Sequence, residues 1–203
     1  MFDDVYQVIT TTGEGLYKDK GSKFIAIAFP ATNENEIKEA LASIKKKYFD
    51  ARHHCYAYML GADKATFRAN DDGEPSGTAG KPILNQILSK NITNVCVVVV
   101  RYFGGIKLGV SGLITAYKTV AQEALENVTI ETRTVNEIYA LHFEYSLLKE
   151  VMRILKEEKI EPLTMQFELD CILEFGIRKS EANRVIERFK KIHKIAVKYI
   201  KTA

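Results

Sequence analysis

Arg101 and Lys107 bracket the stretch of this sequence best suited to chemistry. The segment Arg101-Tyr102-Phe103-Gly104-Gly105-Ile106-Lys107-Leu108-Gly109 places three glycines between and beside two cations. Glycine serves where the backbone must take φ > 0 or lie close to another group. Backbone amides of Gly104, Gly105 and Gly109 would offer partial positive charge to an anion, above all if a helix begins just after them. Tyr102 or Phe103 could stack on a base. Tight packing is the competing reading of the same glycines.

Named phosphate motifs test the idea. The dinucleotide fingerprint GxGxxG is absent. For the P-loop GxxxxGK[ST], Gly104, Gly109 and Ser111 fit, but Val110 stands where a lysine must reach the phosphates. A P-loop nucleotide hydrolase is therefore not expected.

A second chemical stretch precedes it: Asn70-Asp71-Asp72-Gly73-Glu74-Pro75-Ser76-Gly77-Thr78-Ala79-Gly80. Asp71, Asp72 and Glu74 could hold Mg²⁺, which favours carboxylate oxygens and a phosphate ligand. Alternatively they satisfy backbone amides in a tight loop. The EF-hand pattern does not fit. Ser76 is not a nucleophile elbow, because Glu74 and Thr78 occupy the positions where GxSxG needs glycine. His53 and His54 are the nearest imidazoles; adjacent strand residues face opposite sides of a sheet, so at most one can share a site with the glycine loop.

The elements that must position these residues follow from periodicity. Val95–Val100 is an unbroken apolar, β-branched run, read as a strand buried on both faces that ends at Arg101. Ser111 is read as the cap of a helix whose apolar positions are Leu113, Ala116, Tyr117, Val120, Ala121, Ala124 and Leu125. Upstream, strands are expected at Tyr6–Ile9 and Lys23–Phe29, joined by a turn containing Gly13 and Gly15. Lys18, Lys20 and Lys23 flank that connection, as edge lysines or as phosphate contacts. Asn33 and Glu36 cap a helix over 34–48, Cys55–Leu60 and Thr66–Ala69 pair as strands, and Pro82 opens a short helix to Leu88. A boundary falls at 127–136. Beyond it the order strand (Ile138–Tyr145), helix capped by Ser146, strands near Glu161–Leu169 and Cys171–Ile177, helix capped by Ser180, and strand (Ile195–Ile200) is βαββαβ. On the second of these helices Arg184, Arg188 and Lys191 share one face, as a solvated surface or an RNA contact.

Composition bounds the function. With 203 residues, 46% hydrophobic and 27% charged, the chain is an ordinary globular protein rather than a disordered one. A net charge of +3 demands no polyanion, so any nucleic-acid binding must come from a local patch. No apolar run approaches the roughly 18 residues that span a bilayer, and the N-terminus lacks a signal-peptide pattern, so the expected location is the cytoplasm. Cys55, Cys96 and Cys171 are odd in number and widely spaced, which predicts buried free thiols.

Lys20-Gly21-Ser22-Lys23-Phe24, Asp71 through Gly80, and Val99 through Gly109 together resemble the YigZ/IMPACT family. The resemblance covers residues 1 to about 130 well and the remainder more weakly. It implies an α+β protein of two domains. Residues 1–130 would form a βαβ unit with a left-handed crossover, like a ribosomal small-subunit protein domain and domain IV of elongation factor G. Residues 136–203 would form a ferredoxin-like domain like that factor's domain V. Such domains often meet RNA. Eukaryotic members restrain a kinase that senses amino-acid shortage, by competing for its activator through an additional N-terminal domain.

The leading expectation is a non-enzymatic RNA- or ribosome-associated protein affecting translation, with Lys20, Lys23, Arg101, Lys107, Arg184 and Arg188 on phosphates. No cofactor is expected beyond the Mg²⁺ the acidic loop could hold. The alternative is an enzyme on a small phosphorylated or nucleotide ligand, with Mg²⁺ on the carboxylates and His53 or His54 moving a proton. A protein-binding module acting in translation control is a third reading; the sequence leaves the oligomeric state open.

Overall fold

The computed structural model describes residues 4–168 and 170–202. Contacts divide the chain into one unit of Tyr6–Arg133 and another that begins at Thr134 and also takes in Asp4 and Val5. The chain is α+β throughout. No helix among the described residues is long and apolar enough to cross a membrane.

The first unit is built on a five-stranded sheet. Its strands are β2 (Gly13–Asp19), β3 (Ser22–Pro30), β4 (His53–Leu60), β5 (Thr66–Asn70) and β7 (Val95–Tyr102), in the order β2-β3-β7-β4-β5 with every neighbour antiparallel. A smaller sheet has the order β6-β1-β8, from β1 (Val5–Ile9), β6 (Ile92–Thr93) and β8 (Ile130–Thr134). The apolar run of β7 is explained by helices on both faces. Val95, Val97 and Val99 join the core of α2 (Gly80–Ser89) and α3 (Gly109–Glu126), with Ile83, Ile87, Tyr117 and Val120. Cys96, Val98 and Val100 join Ile37 and Ile44 of α1 (Glu34–Lys47) on the other side. Each of these valines is wholly removed from water, a gain on the order of 1.5–3 kcal/mol per side chain.

Local signals set several ends. Asn33 accepts from the amides of Asn35 and Glu36 at 3.1 and 3.0 Å and caps α1. Four expectations are corrected. Gly13 and Gly15 lie inside β2, not in a turn, because a Cβ there would sit 2.2 Å from the Ala124 carbonyl and 2.5 Å from that of Val120; they are small so that α3 can lie against the strand. The turn is Lys20-Gly21, both at positive φ, a two-residue hairpin link. Strand β7 does not end at Arg101 but continues through Tyr102, paired with Phe24 and Lys23 of β3. Ser111 lies within the first turn of α3; the cap position is Leu108, with no side-chain hydrogen bond to the first amides.

The second unit runs β9 (Asn136–Glu144), α4 (Leu148–Glu157), β10 (Pro162–Gln166), β11 (Asp170–Arg178), α5 (Lys179–Lys190) and β12 (Ala196–Thr202), with antiparallel sheet order β10-β11-β9-β12. Leu169, expected at a strand end, and the expected domain ends at 1 and 203 lie outside the described residues. Leu141, Phe143, Leu173 and Phe175 pack on Val151, Ile154, Val185 and Phe189. Neither serine cap forms. A 3-10 turn (Tyr145–Leu147) leads into α4 with no side-chain cap. For α5 the acceptor comes from the far end of the chain: the Ser180 amide donates to Asp4 Oδ2 at 3.0 Å, and Arg178 donates through Nε and Nη2 to the same carboxylate at 2.8 Å each.

The hydrogen bonds from Arg178 and then Ser180 hold the Asp4 carboxyl well below the usual carboxylate range. A depressed folded-state pKa stabilises fully above the unfolded value of about 3.9 and is lost as pH falls toward the folded value. Asp4→Ala is expected to melt below wild type at pH 7, with the difference shrinking below about pH 4. Thermal unfolding across pH checks this; a difference that does not depend on pH would rule out the carboxylate as its source.

Candidate functional site

Strand parity decides which candidates can meet. Arg101 lies opposite Phe24 of β3 and His53 of β4, all on the sheet face that carries α2 and α3. Tyr102, Lys23 and His54 take the other face, toward α1. Accordingly the Tyr102 hydroxyl donates to Asp50 at 2.8 Å, and His54 is buried with its Nε2 donating to the Tyr48 carbonyl at 3.1 Å. Those three residues are therefore separated from Arg101 by the sheet.

Arg101 is held on three sides. Its guanidinium carbon lies 5.4 Å from the Phe24 ring centroid and 5.7 Å from that of Phe103. Its Nη1 donates to Glu74 Oε1 at 2.5 Å, with side-chain exposures of 7% for Arg101 and 3% for Glu74. Its Nε is buried without any hydrogen-bond partner. Glu74 also accepts from the Tyr117 hydroxyl at 2.8 Å, and Tyr117 in turn accepts from the Cys55 thiol at 3.3 Å. Burial pushes the Cys55 thiol up to about 12 and the Tyr117 hydroxyl well above its ordinary value, the latter reinforced by Cys55 and Glu74. Neither is a nucleophile at neutral pH.

The acidic loop is a structural device that delivers Glu74. Asp71 accepts from the amides of Gly77, Ala79 and Gly80 at 2.8, 3.0 and 2.8 Å, closing the loop on the start of α2. Burial alone would raise its pKa, but these three amides hold the carboxyl below its ordinary value. Asp72 accepts from the His54 amide at 2.7 Å and lies 3.8 Å from Lys45. The three carboxylates thus point to different partners, and no group of His, Cys, Asp or Glu among the described residues is arranged to hold a metal ion. Ser76 is exposed on this loop, outside the cleft lining.

The glycine loop is shaped by a close approach. A Cβ on Gly104 would fall 1.9 Å from the Gly21 carbonyl carbon, and the Gly104 amide is already given to Ser22 Oγ at 3.1 Å. That amide cannot serve an anion. Gly105 and Gly109 take φ of +90° and +73° and swing the chain into α3. The result is a cleft of about 430 Å³ whose cationic lining is Arg52, Arg101 and Lys107, with His53, Glu74 and Gly109 beside them. Its apolar wall includes Pro75, Phe103, Val110 and Leu113. The volume falls within the ordinary range for one small ligand. His53 is oriented by donating from Nδ1 to the Asp72 carbonyl at 2.9 Å.

Of the expected residues, Arg101, Lys107, Gly109, His53 and Glu74 come together. Lys20, Lys23, Tyr102, Gly104, Gly105, His54, Asp71 and Asp72 are not among the residues lining the cleft. Arg184 and Arg188 belong to the second unit and are paired there: both bond Glu158, Arg184 at 2.7 Å, and Arg188 also bonds Glu157. Hydrogen bonds from Arg184 and then Arg188 hold the Glu158 carboxyl at about 2. Sequence reasoning missed Arg52, which a basic residue directly before a strand-edge histidine could have signalled. It also missed Tyr117, a polar tip on an otherwise apolar helix stripe.

Removing one partner of a buried ion pair strands the other charge, at a cost of about 3–5 kcal/mol, whereas an apolar pair of similar volume is close to neutral. Glu74→Ala is expected to lower unfolding free energy by that amount in urea, and Glu74→Leu with Arg101→Met to recover most of it. Equal losses in the two variants would mean that the pair itself is strongly stabilising.

Comparison with known proteins fits this geometry. The Impact N-terminal domain matches residues 20–125, which include every residue lining the cleft. The chain is 34% identical to IMPACT family member YvyE of Bacillus subtilis, over 90% of this chain and 84% of that one. It is 38% identical to IMPACT family member YigZ of Escherichia coli, over 67% and 68% of the two chains. Similarity to Protein IMPACT of Homo sapiens is 38% but spans only 45% of this chain and 29% of that protein. The crystal structure of a hypothetical protein matches over 98% of both chains, with TM-score 0.72 and 27% identity. The family match spans the glycine loop, the acidic loop and the Lys20–Phe24 hairpin, and the chain belongs to the IMPACT family.

Proposed function

We propose that this chain is a non-enzymatic RNA-associated protein of the cytoplasm that acts in translation, gripping RNA phosphate in the cleft of its first unit. The observation that carries the reading is the convergence of Arg52, Arg101 and Lys107 at the uncapped start of an 18-residue helix. Free amides there carry partial positive charge, so cations and helix N-terminus act on an anion together. Phe103, 42% exposed at the cleft wall, supplies a face on which a base can stack.

The topology of both units supports the same reading. In the first, β3 and β4 run parallel to each other with β7 antiparallel between them, so α1 makes a βαβ crossover. In the second, the βαββαβ order with sheet order β10-β11-β9-β12 supports reading a ferredoxin-like domain. We take these as counterparts of domains IV and V of elongation factor G, domains of a kind that often meet RNA.

Binding is favoured over catalysis by the way the carboxylates are used. Glu74 is committed to Arg101 and Tyr117, and Asp71 to three amides. Neither is left as a general base or Mg²⁺ ligand.

The test is binding of a single-stranded oligoribonucleotide, and co-sedimentation with ribosomes, across a salt series. Arg52→Ala with Lys107→Ala is expected to weaken binding at low salt and flatten the slope of log K against log salt by about 0.7 per lost phosphate contact. No binding to RNA or ribosomes at low salt would sink the proposal.

A further inference from the structure

The charge in the cleft says which phosphate it suits. Arg52, Arg101 and Lys107 set against Glu74 leave two positive charges, before the partial charge of the α3 N-terminus is counted. An internal phosphodiester of RNA carries one negative charge, whereas a phosphomonoester carries about 1.5–2 at neutral pH. A monoester also offers three acceptor oxygens.

The donors match that number. Arg101 Nε is the one buried side-chain nitrogen or oxygen among the described residues with no partner, on a side chain only 7% exposed. Leaving such a donor unpaired costs free energy, part of which a ligand oxygen reaching the guanidinium would recover. Lys107 and the first amides of α3, which receive no side-chain cap, supply further donors. Glu74 orients the guanidinium through Nη1, on a side chain that lines the cleft.

Size and wall composition choose the rest of the ligand. A bare phosphate would fill little of a 430 Å³ cleft. The apolar wall of Pro75, Phe103, Val110 and Leu113 suits a flat hydrophobic body beside the anion. Phe103 and Val110 are 42% and 60% exposed, an apolar rim open to solvent beside the cations.

We infer that the cleft is a site for a nucleotide phosphomonoester, either a free mononucleotide or the phosphorylated end of an RNA, rather than for an internal stretch of backbone. The inference rests on the RNA reading only for its second source; the first stands by itself. The phosphate takes the Arg101 guanidinium, Lys107 and the α3 amides, and the base lies on Phe103.

The experiment compares one oligoribonucleotide bearing a 5′-phosphate, a 3′-phosphate or neither, and titrates 5′-mononucleotides, nucleosides and inorganic phosphate as competitors. A terminally phosphorylated RNA is expected to bind about tenfold or more tightly than the unphosphorylated one, as one further charge near a cation requires. Mononucleotides should compete, and nucleosides should not. Lys107→Ala should abolish the preference, and Phe103→Ala should weaken the mononucleotide but not inorganic phosphate. Arg101→Lys, which keeps the charge but lacks the guanidinium fork, should lose the preference while circular dichroism shows it folded.

Equal affinity for all three RNAs, with no competition by mononucleotides, overturns the phosphomonoester site and leaves the RNA reading intact. Mononucleotide binding without any RNA binding supports the site and overturns the RNA reading. Inorganic phosphate competing as well as a mononucleotide overturns the nucleotide class.

Discussion

A guanidinium cannot be placed under a sheet face without an anion, and the Arg101–Glu74 pair is the contact around which the first unit is arranged. Desolvating two charges costs several kcal/mol each, so such a pair survives only where geometry is tight and the remaining valences are met. Glu74 meets this condition through Tyr117, itself tied to Cys55. Arg101 meets it only in part, by two aromatic faces and one carboxylate. The shortfall falls on Nε, which is buried without a partner on a residue that lines the cleft.

Holding Glu74 in place explains the acidic loop. Asp71 is used entirely inside the protein, where its carboxylate gathers three amides at the head of α2 and so fixes the path that carries Glu74 under Arg101. Asp72 fastens the other end of the loop to β4 through the His54 amide, while its carbonyl orients His53. A carboxylate-rich loop therefore serves a cationic site, because its charges are met by backbone amides, by Arg101 and by Lys45. The glycine loop is divided in the same way. Gly104 permits contact with the Lys20-Gly21 hairpin, and Gly105 and Gly109 steer the chain so that α3 begins at the cleft.

The second unit solves its polar problems separately. Asp4, though first among the described residues, supplies the acceptor that the start of α5 lacks locally. The arginine face of α5 is taken up by Glu157 and Glu158 across the helix pair. Arg184 and Arg188, which read as an RNA contact in sequence, are thus tied into ion pairs within the folded unit.

The sequence by itself determined the elements. The valine run of β7, the helical stripe from Leu113 to Leu125, the Asn33 cap and the βαββαβ order all follow from period, propensity and local hydrogen bonding among contiguous residues. The strings that carry the family resemblance were likewise contiguous, and the pairing of Arg101 with a glycine-led helix start could be read from them. Tertiary structure alone decided which charges remain free. Arg101 and Glu74 are 27 residues apart, Tyr117 and Glu74 are 43 apart, and Asp4 meets Arg178 across 174. It also decided sides: parity across β3, β7 and β4 brought His53 to Arg101 and sent His54, Tyr102 and Lys23 away. Periodicity is a property of neighbours in the chain, whereas electrostatic partnership is a property of neighbours in space, and only folding makes the second from the first.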